Sequence, residues 1–412
     1  MKIDGKPAGY LAYCSNIHPG ETLDETWNQL RVHLPALKAR LSPQAPFGVG
    51  LRLSATAARE LTESSRLRAF REWLVSEGLY VFTMNGFPYG AFHGTRVKEA
   101  VYAPDWRTDE RVAYTRDLMT VFSGLLPEGG EGSVSTSPLS YKFWIPEGPE
   151  REAAFGQCAR RLAALAREMA EVEERTGRWL HLDLEPEPDC LLETSVETAA
   201  FFNGPLREAG GLYLENEYGM TRERAETLIR RHIQVCYDTC HFAVEFEDPV
   251  AALDRLCAAG IGIGKVQISA ALRLLFSGEP ADDDQVRRLE AFAESTYLHQ
   301  VVERNADGRI RRYRDLPQAL EAPRDKRPRE WRIHFHVPVF AAEFGGLHST
   351  REDIRDALEA VRSRGLSRHL EIETYTWDVL PAELKGDLLD SIEREYRWTL
   401  EMLGVAAGSG DA

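Results

Sequence analysis

Short apolar runs rich in β-forming residues alternate with longer stretches of helical period along almost all of the 412-residue chain. The runs are residues 9–14 (GYLAYC), 48–54 (GVGLRLS), 79–85 (LYVFTMN), 132–138 (GSVSTSP), 178–185 (RWLHLDLE), 233–238 (IQVCYD), 263–269 (IGKVQIS), 331–337 (WRIHFHV) and 369–376 (HLEIETYT). Between them apolar positions recur every three or four residues. In 153–177 this spacing puts Phe155, Leu162, Leu165 and Met169 on or near one face, and Gly177 supplies a stop. Strand then helix, repeated, predicts a parallel sheet closed or covered by helices, here an α/β TIM (β/α)8 barrel filling residues 1–405 as one domain. Nine runs for eight barrel strands make one of them accessory, and the Ser-rich run at 132–138 is the weakest. Residues 296–315 hold two strand-like runs about the turn signal Asn-Ala-Asp-Gly. This predicts an antiparallel hairpin inserted between barrel strands, with 296–330 as a lid near the mouth and 406–412 as a frayed tail.

Residues two apart on a strand share a face. His181, Asp183 and Glu185 therefore oppose Leu182 and Leu184, while Gln234, Cys236 and Asp238 oppose Ile233, Val235 and Tyr237. Lys265, Gln267 and Ser269 oppose Val266 and Ile268; His334 and His336 oppose Ile333, Phe335 and Val337; Glu371 and Glu373 oppose Leu370 and Ile372. Helices cover the outside of a parallel barrel, so the polar sets point inward, where Val, Ile and Leu ordinarily sit. Burying Asp183, Glu185, Asp238, Glu371 and Glu373 together is costly unless each is paired or bound to a cation. Lys265 and Arg52 are too few to offset them, and a divalent ion closes the gap. Carboxylate and imidazole donors suit Mn, Zn, Fe or Co; Mg stays open as well. Glu185, Asp238, His336 and Glu373 stand at strand ends and are the expected ligands. His241, one turn beyond Asp238, is a further ligand, a substrate contact or an acid/base. His334, placed deeper than His336, is expected to orient a ligand from behind, with Asp183, Gln267 and Glu371 in the same supporting layer.

The formal net charge of −15 opposes extended contact with nucleic acid and favours a small-molecule partner. The chain has no apolar run long enough for a membrane span and no secretory leader pattern, which predicts a cytoplasmic protein without stable membrane insertion. Six cysteines without a Cys-x-x-Cys pair read as free thiols. Loops after the early strands bring His18, Asn85 and His93 forward as substrate contacts, with Lys142 behind them. The basic runs at 309–315 and 324–332 read as solvated charge, with a phosphate-binding lid as the alternative. Oligomeric state stays open.

The stretches HLDLEPEPD, YDTCH, KVQIS, HFHVPVF and LEIETYTW resemble the xylose-isomerase-like TIM barrels, a superfamily of sugar isomerases and epimerases that also includes a metal-dependent apurinic endonuclease. More closely, YCSNIHPGE, NGFPYGAFHG, SPLSYK, LDLEPEPDC and YDTCHFAVEFE are similar to the metabolite-traffic protein EboE family over nearly the whole chain. The resemblance implies one to three divalent ions held by a strand-end Glu, an Asp-x-x-His, a later His and a final Glu, which maps the carboxylates onto Glu185 and Glu373. Gln267 stands where the superfamily often has His, which favours a single ion. The implied activity is metal-dependent isomerisation or epimerisation of a small polyhydroxylated or carbonyl metabolite. Glu185 and Glu373 would be both ligands and bases, His241 an acid/base, and Lys265 a charge holder for the substrate or a neutraliser of Asp183. The alternatives are metal-dependent phosphoester hydrolysis and a non-catalytic metabolite carrier.

Overall fold

The computed structural model describes residues 1–3, 9–277, 282–322, 328–344, 346–381 and 385–405; the predicted tail at 406–412 lies outside them. Eight parallel strands form the barrel: Gly9–Tyr13, Phe47–Arg52, Leu79–Asn85, Glu131–Thr136, Trp179–Leu184, Ile233–Asp238, Ile263–Ile268 and His369–Ile372. Neighbours in this order pair in parallel, the last strand pairs with the first, and a bridge between Cys14 and Gly50 closes the ring. Outward residues such as Leu182, Val235, Ile268 and Ile372 join one hydrophobic core with the surrounding helices. The longest helix, Pro149–Thr176, buries Leu162, Leu165 and Met169, and Gly177 ends it in the left-handed conformation at φ 67°. No described helix is long and apolar enough to cross a membrane.

Two expectations are corrected. The Ser-rich run is a true barrel strand, while 331–337 belongs to Arg329–Val337, a long strand of a separate six-stranded antiparallel sheet. That sheet runs in the order Ile310–Tyr313, Val301–Asn305, Arg329–Val337, Ala270–Phe276, Leu347–Ser349 and Glu343–Phe344. The insertion therefore starts at the end of the seventh barrel strand and is much larger than a hairpin at 296–330, although the hairpin itself is there, pairing Val301 with Tyr313. Alternation marks any strand with one buried face, antiparallel or parallel, and so does not assign 331–337 to the barrel. The Ser-rich strand is inconspicuous because its inward residues must be small: Ser133 bonds Thr83 and His369, and Ser135 receives Lys265.

The last helix, Leu388–Met402, buries Glu395, whose carboxyl oxygen accepts from Thr374 Oγ1 at 2.7 Å and Val339 N at 3.2 Å. Burial pushes this carboxyl up to about 8, whereas an unfolded Glu titrates near about 4.3. The folded chain thus keeps a proton that the unfolded chain sheds. The contribution is whole below the unfolded value and is lost as pH rises through the folded one. Glu395→Gln keeps the acceptor and removes the titration, so its urea midpoint should fall less than that of wild type between pH 5 and pH 8.

Candidate metal centre

The C-terminal ends of the fifth, sixth and eighth barrel strands deliver Glu185, Asp238 and Glu373, whose ligating oxygens all lie within 4.8 Å of one another. The inserted strand Arg329–Val337 reaches over the mouth with His336, which forms a second such group with Asp238 and His241. All five residues are buried. Asp238 caps the helix Thr239–Val244: Oδ1 accepts from the Cys240 and His241 amides and from Ser269 Oγ, while Oδ2 has no hydrogen-bond partner among the described residues. The same cap fixes His241 one turn above Asp238.

Each imidazole of the group has one nitrogen tied to an oxygen. His336 Nδ1 lies 2.8 Å from the Glu373 carbonyl and His241 Nδ1 lies 3.1 Å from the Pro186 carbonyl. A carbonyl only accepts, so Nδ1 carries the proton in both rings and Nε2 is left with its lone pair, the tautomer a metal ligand needs. His336 Nε2 and Glu185 Oε2 are buried without a hydrogen-bond partner among the described residues. Glu373 Oε1 accepts from Asn16 Nδ2 and Asn85 Nδ2, each at 2.8 Å, which fixes its carboxylate plane.

The electrostatics call for a cation. Burial, reinforced by the Glu373 and Asp238 charges, pushes the Glu185 carboxyl far above the usual carboxylate range. Burial and the charges of Asp238 and Glu371 do the same to Glu373. Burial holds His336 below its ordinary value and, with His336 beside it, His241 well below. Neutral imidazoles and crowded carboxylates with unpartnered atoms fit a divalent ion: Glu185, Asp238, His336 and Glu373 would hold it, with His241 at its side.

Other expected residues fall elsewhere. Lys265 is fully buried and forms an ion pair with Glu371 at 2.5 Å, not with Asp183. It does not line the cavity. Asp183 is paired with His181 Nδ1 at 2.7 Å, and Gln267 Oε1 accepts from Cys236 Sγ. His334 is not a support behind His336. Because its strand belongs to the inserted sheet, the depth argument of a barrel strand does not apply, and His334 lines the cavity near Glu187 with Nε2 lacking a hydrogen-bond partner among the described residues. Asn85 lines the cavity as expected, but His18 turns away, bonded to Tyr13 and stacked on His33 at 4.2 Å. His93 ties two mouth loops together through Asn16 O and Tyr297 OH rather than facing the cavity. Arg52 serves loop carbonyls of Gly20 and Gly90, and Lys142 holds Glu193 and Asp189. In the basic runs Arg312 pairs with Glu245, Arg309 with Asp307 and Arg332 with Glu330 and Asp353, while residues 323–327 lie outside the described residues.

Glu187, Asn16, Tyr102 and Tyr375 were not expected, and all four line the cavity. Tyr102 OH donates to Glu187 Oε1 at 2.7 Å, and burial pushes the Glu187 carboxyl up to about 8. Glu187 follows Glu185 by two residues in the quoted acidic stretch, and that spacing was the available signal.

Fold and ligand group together define a closed α/β barrel with a carboxylate–imidazole centre at its C-terminal mouth. Among solved structures the chain is similar to a xylose isomerase-like TIM barrel protein from Mycobacterium smegmatis in complex with magnesium (TM-score 0.49, 13% identity, 96% of each chain). It is also similar to the IolI protein with a bound zinc atom (0.48, 12%, 96% of this chain and 98% of that one), and to a D-tagatose 3-epimerase-like protein (0.46, 12%, 96% and 97%). No family model and no curated protein matches the chain. These are likenesses of fold; the barrel assignment rests on the strand order above, and the EboE resemblance on the motifs quoted.

Proposed function

We propose that the chain is a metal-dependent isomerase or epimerase of a small metabolite bearing a carbonyl or hydroxyl pair, working in a biosynthetic or metabolite-traffic setting in the cytoplasm. The observation that carries it is the pair of buried carboxylates, Glu185 and Glu373, facing one cavity beside neutral imidazoles. When bound, the ion supplies Lewis acidity at a substrate oxygen and a counter-charge for the carboxylates. Glu185, through the carboxylate oxygen that the ion does not engage, takes a proton from substrate carbon and returns it to the adjacent carbon or the opposite face. Glu373, gripped by two amides, holds its position while Glu185 works. His241, whose Nε2 keeps its lone pair, takes a proton from a substrate hydroxyl and returns it. The six free cysteines suit a reducing compartment, and the net charge of −15 suits a small substrate rather than nucleic acid.

Elemental analysis after offering Mn or Zn tests the reading: wild type should hold one ion per chain and Asp238→Ala almost none. A wild type without stoichiometric metal overturns it. A second reading, metal-assisted phosphoester hydrolysis, draws on the further group formed by Glu187, His241 and His334; two ions per chain would favour it.

A further inference from the structure

The cavity above the ligands has a polar floor and apolar walls. Its floor is Glu185, Glu187, Glu373, His241 and His334 with Asn16 and Asn85, whose side-chain NH2 groups donate to Glu373. One wall is an aromatic cluster in which Phe92, Tyr297 and Tyr375 lie with ring centroids 5.0–5.2 Å apart. Phe87, Tyr102 and Leu298 continue the apolar lining, joined to that cluster through Val101, which packs against both. Most polar atoms of these walls are spoken for: Tyr102 OH donates to Glu187, Tyr297 OH to the Phe92 carbonyl, and the rim amine of Lys98 pairs with Asp315 at 2.8 Å, which leaves Tyr375 OH as the wall hydroxyl without a hydrogen-bond partner among the described residues. A chain of hydroxyls seated against such walls would lose its water and gain few partners, whereas an apolar ring gains contact with them.

We propose that the substrate of this site carries its reacting carbonyl or hydroxyl pair on an apolar, ring-sized body rather than on an open polyol chain. This rests on the isomerase reading for the polar head but not for the body, which the walls select by themselves. The polar head meets Glu185 and Glu373 on the floor, and the body lies against the apolar lining of Tyr297, Tyr375, Val101 and Leu298. Selection works by exclusion as well: an extra hydroxyl on the body that does not reach Tyr375 OH faces apolar carbon.

The test is calorimetric titration of the metal-loaded full chain with 2-hydroxyacetophenone and with D-fructose, both of which present a carbonyl beside a hydroxyl. The aromatic ketol should bind at least tenfold tighter. Leu298→Asp and Val101→Asp, half-buried positions on separate segments, should each weaken it at least tenfold with metal content unchanged. Two variants guard against one failing to fold. Equal or tighter binding of fructose, or wild-type affinity in both wall variants, overturns the inference. Acetophenone titrated into chelator-treated protein separates the two readings. Binding that the wall variants abolish, in a chain that takes up no metal, keeps the apolar body and removes the isomerase. A stoichiometric ion with no binding of either aromatic ketone removes the apolar body alone.

Discussion

Asp238→Asn should empty the metal centre while leaving the fold close to wild type, whereas Asp238→Ala should damage both. The two carboxylate oxygens have separate tasks. Oδ1 takes hydrogen bonds from Cys240 N at 2.8 Å, His241 N at 3.1 Å and Ser269 Oγ at 2.6 Å, which caps the helix Thr239–Val244 and holds His241 in place. Oδ2 takes none among the described residues, and Asp238 belongs to both ligand groups at the barrel mouth. An asparagine keeps the capping oxygen and puts an NH2, without charge or lone pair, where Oδ2 stood. Elemental analysis should find the ion lost in both variants. Loss of an N-cap costs about 1 kcal/mol, and the buried Ser269 hydroxyl left without its acceptor adds to that. Urea unfolding of chelator-treated proteins should therefore rank wild type and Asn together, with Ala lower by about 2 kcal/mol. Stoichiometric metal in the asparagine variant would show that Oδ2 is not a ligand.

What the sequence discloses about this centre depends on whether a residue lies on a parallel strand. For Glu185, Asp238 and Glu373, period-two alternation fixes the face, and the outer face must be apolar under its helices, so their inward placement follows. His336 has the same alternation for another reason: its strand lies in the inserted antiparallel sheet, and its arrival beside Asp238 depends on pairing with Ala270–Phe276 across dozens of residues. The fourth barrel strand went the other way. Its inward serines are small because Lys265 and His369 come across to meet them, a pairing that composition does not announce. Loop residues are the least legible. Asn16 and His18 are two apart in one loop, yet a 3-10 turn at Ser15–Ile17 sends the amide to Glu373 and the imidazole to Tyr13. Nothing periodic distinguishes them. Glu187, Tyr102 and Gln300 meet through chain segments far apart in sequence, so their shared site is a product of topology alone.

Lys265→Met should be the most destabilising single change within the barrel. Its ammonium is wholly buried, 2.5 Å from Glu371 Oε2 and 3.2 Å from Ser135 Oγ. Burial by itself would lower the lysine's pKa, but the Glu371 charge overrides it and holds the amine above its ordinary range. The pair is walled in on the other side by Gly50, where any Cβ would strike the Glu371 carboxylate, so there is no room for a compensating side chain. Removing the lysine strands a carboxylate in a dry lumen, which costs about 3–5 kcal/mol. Glu371→Met strands the ammonium and should cost about as much. The double variant, with two apolar side chains of similar volume in place of two charges, should recover most of the loss, because much of each single penalty is the cost of the partner left unpaired. A double-mutant cycle by urea unfolding measures this directly. Strict additivity of the two changes would mean that the pair is solvated rather than dry, and that the charge balance of the metal centre does not depend on it.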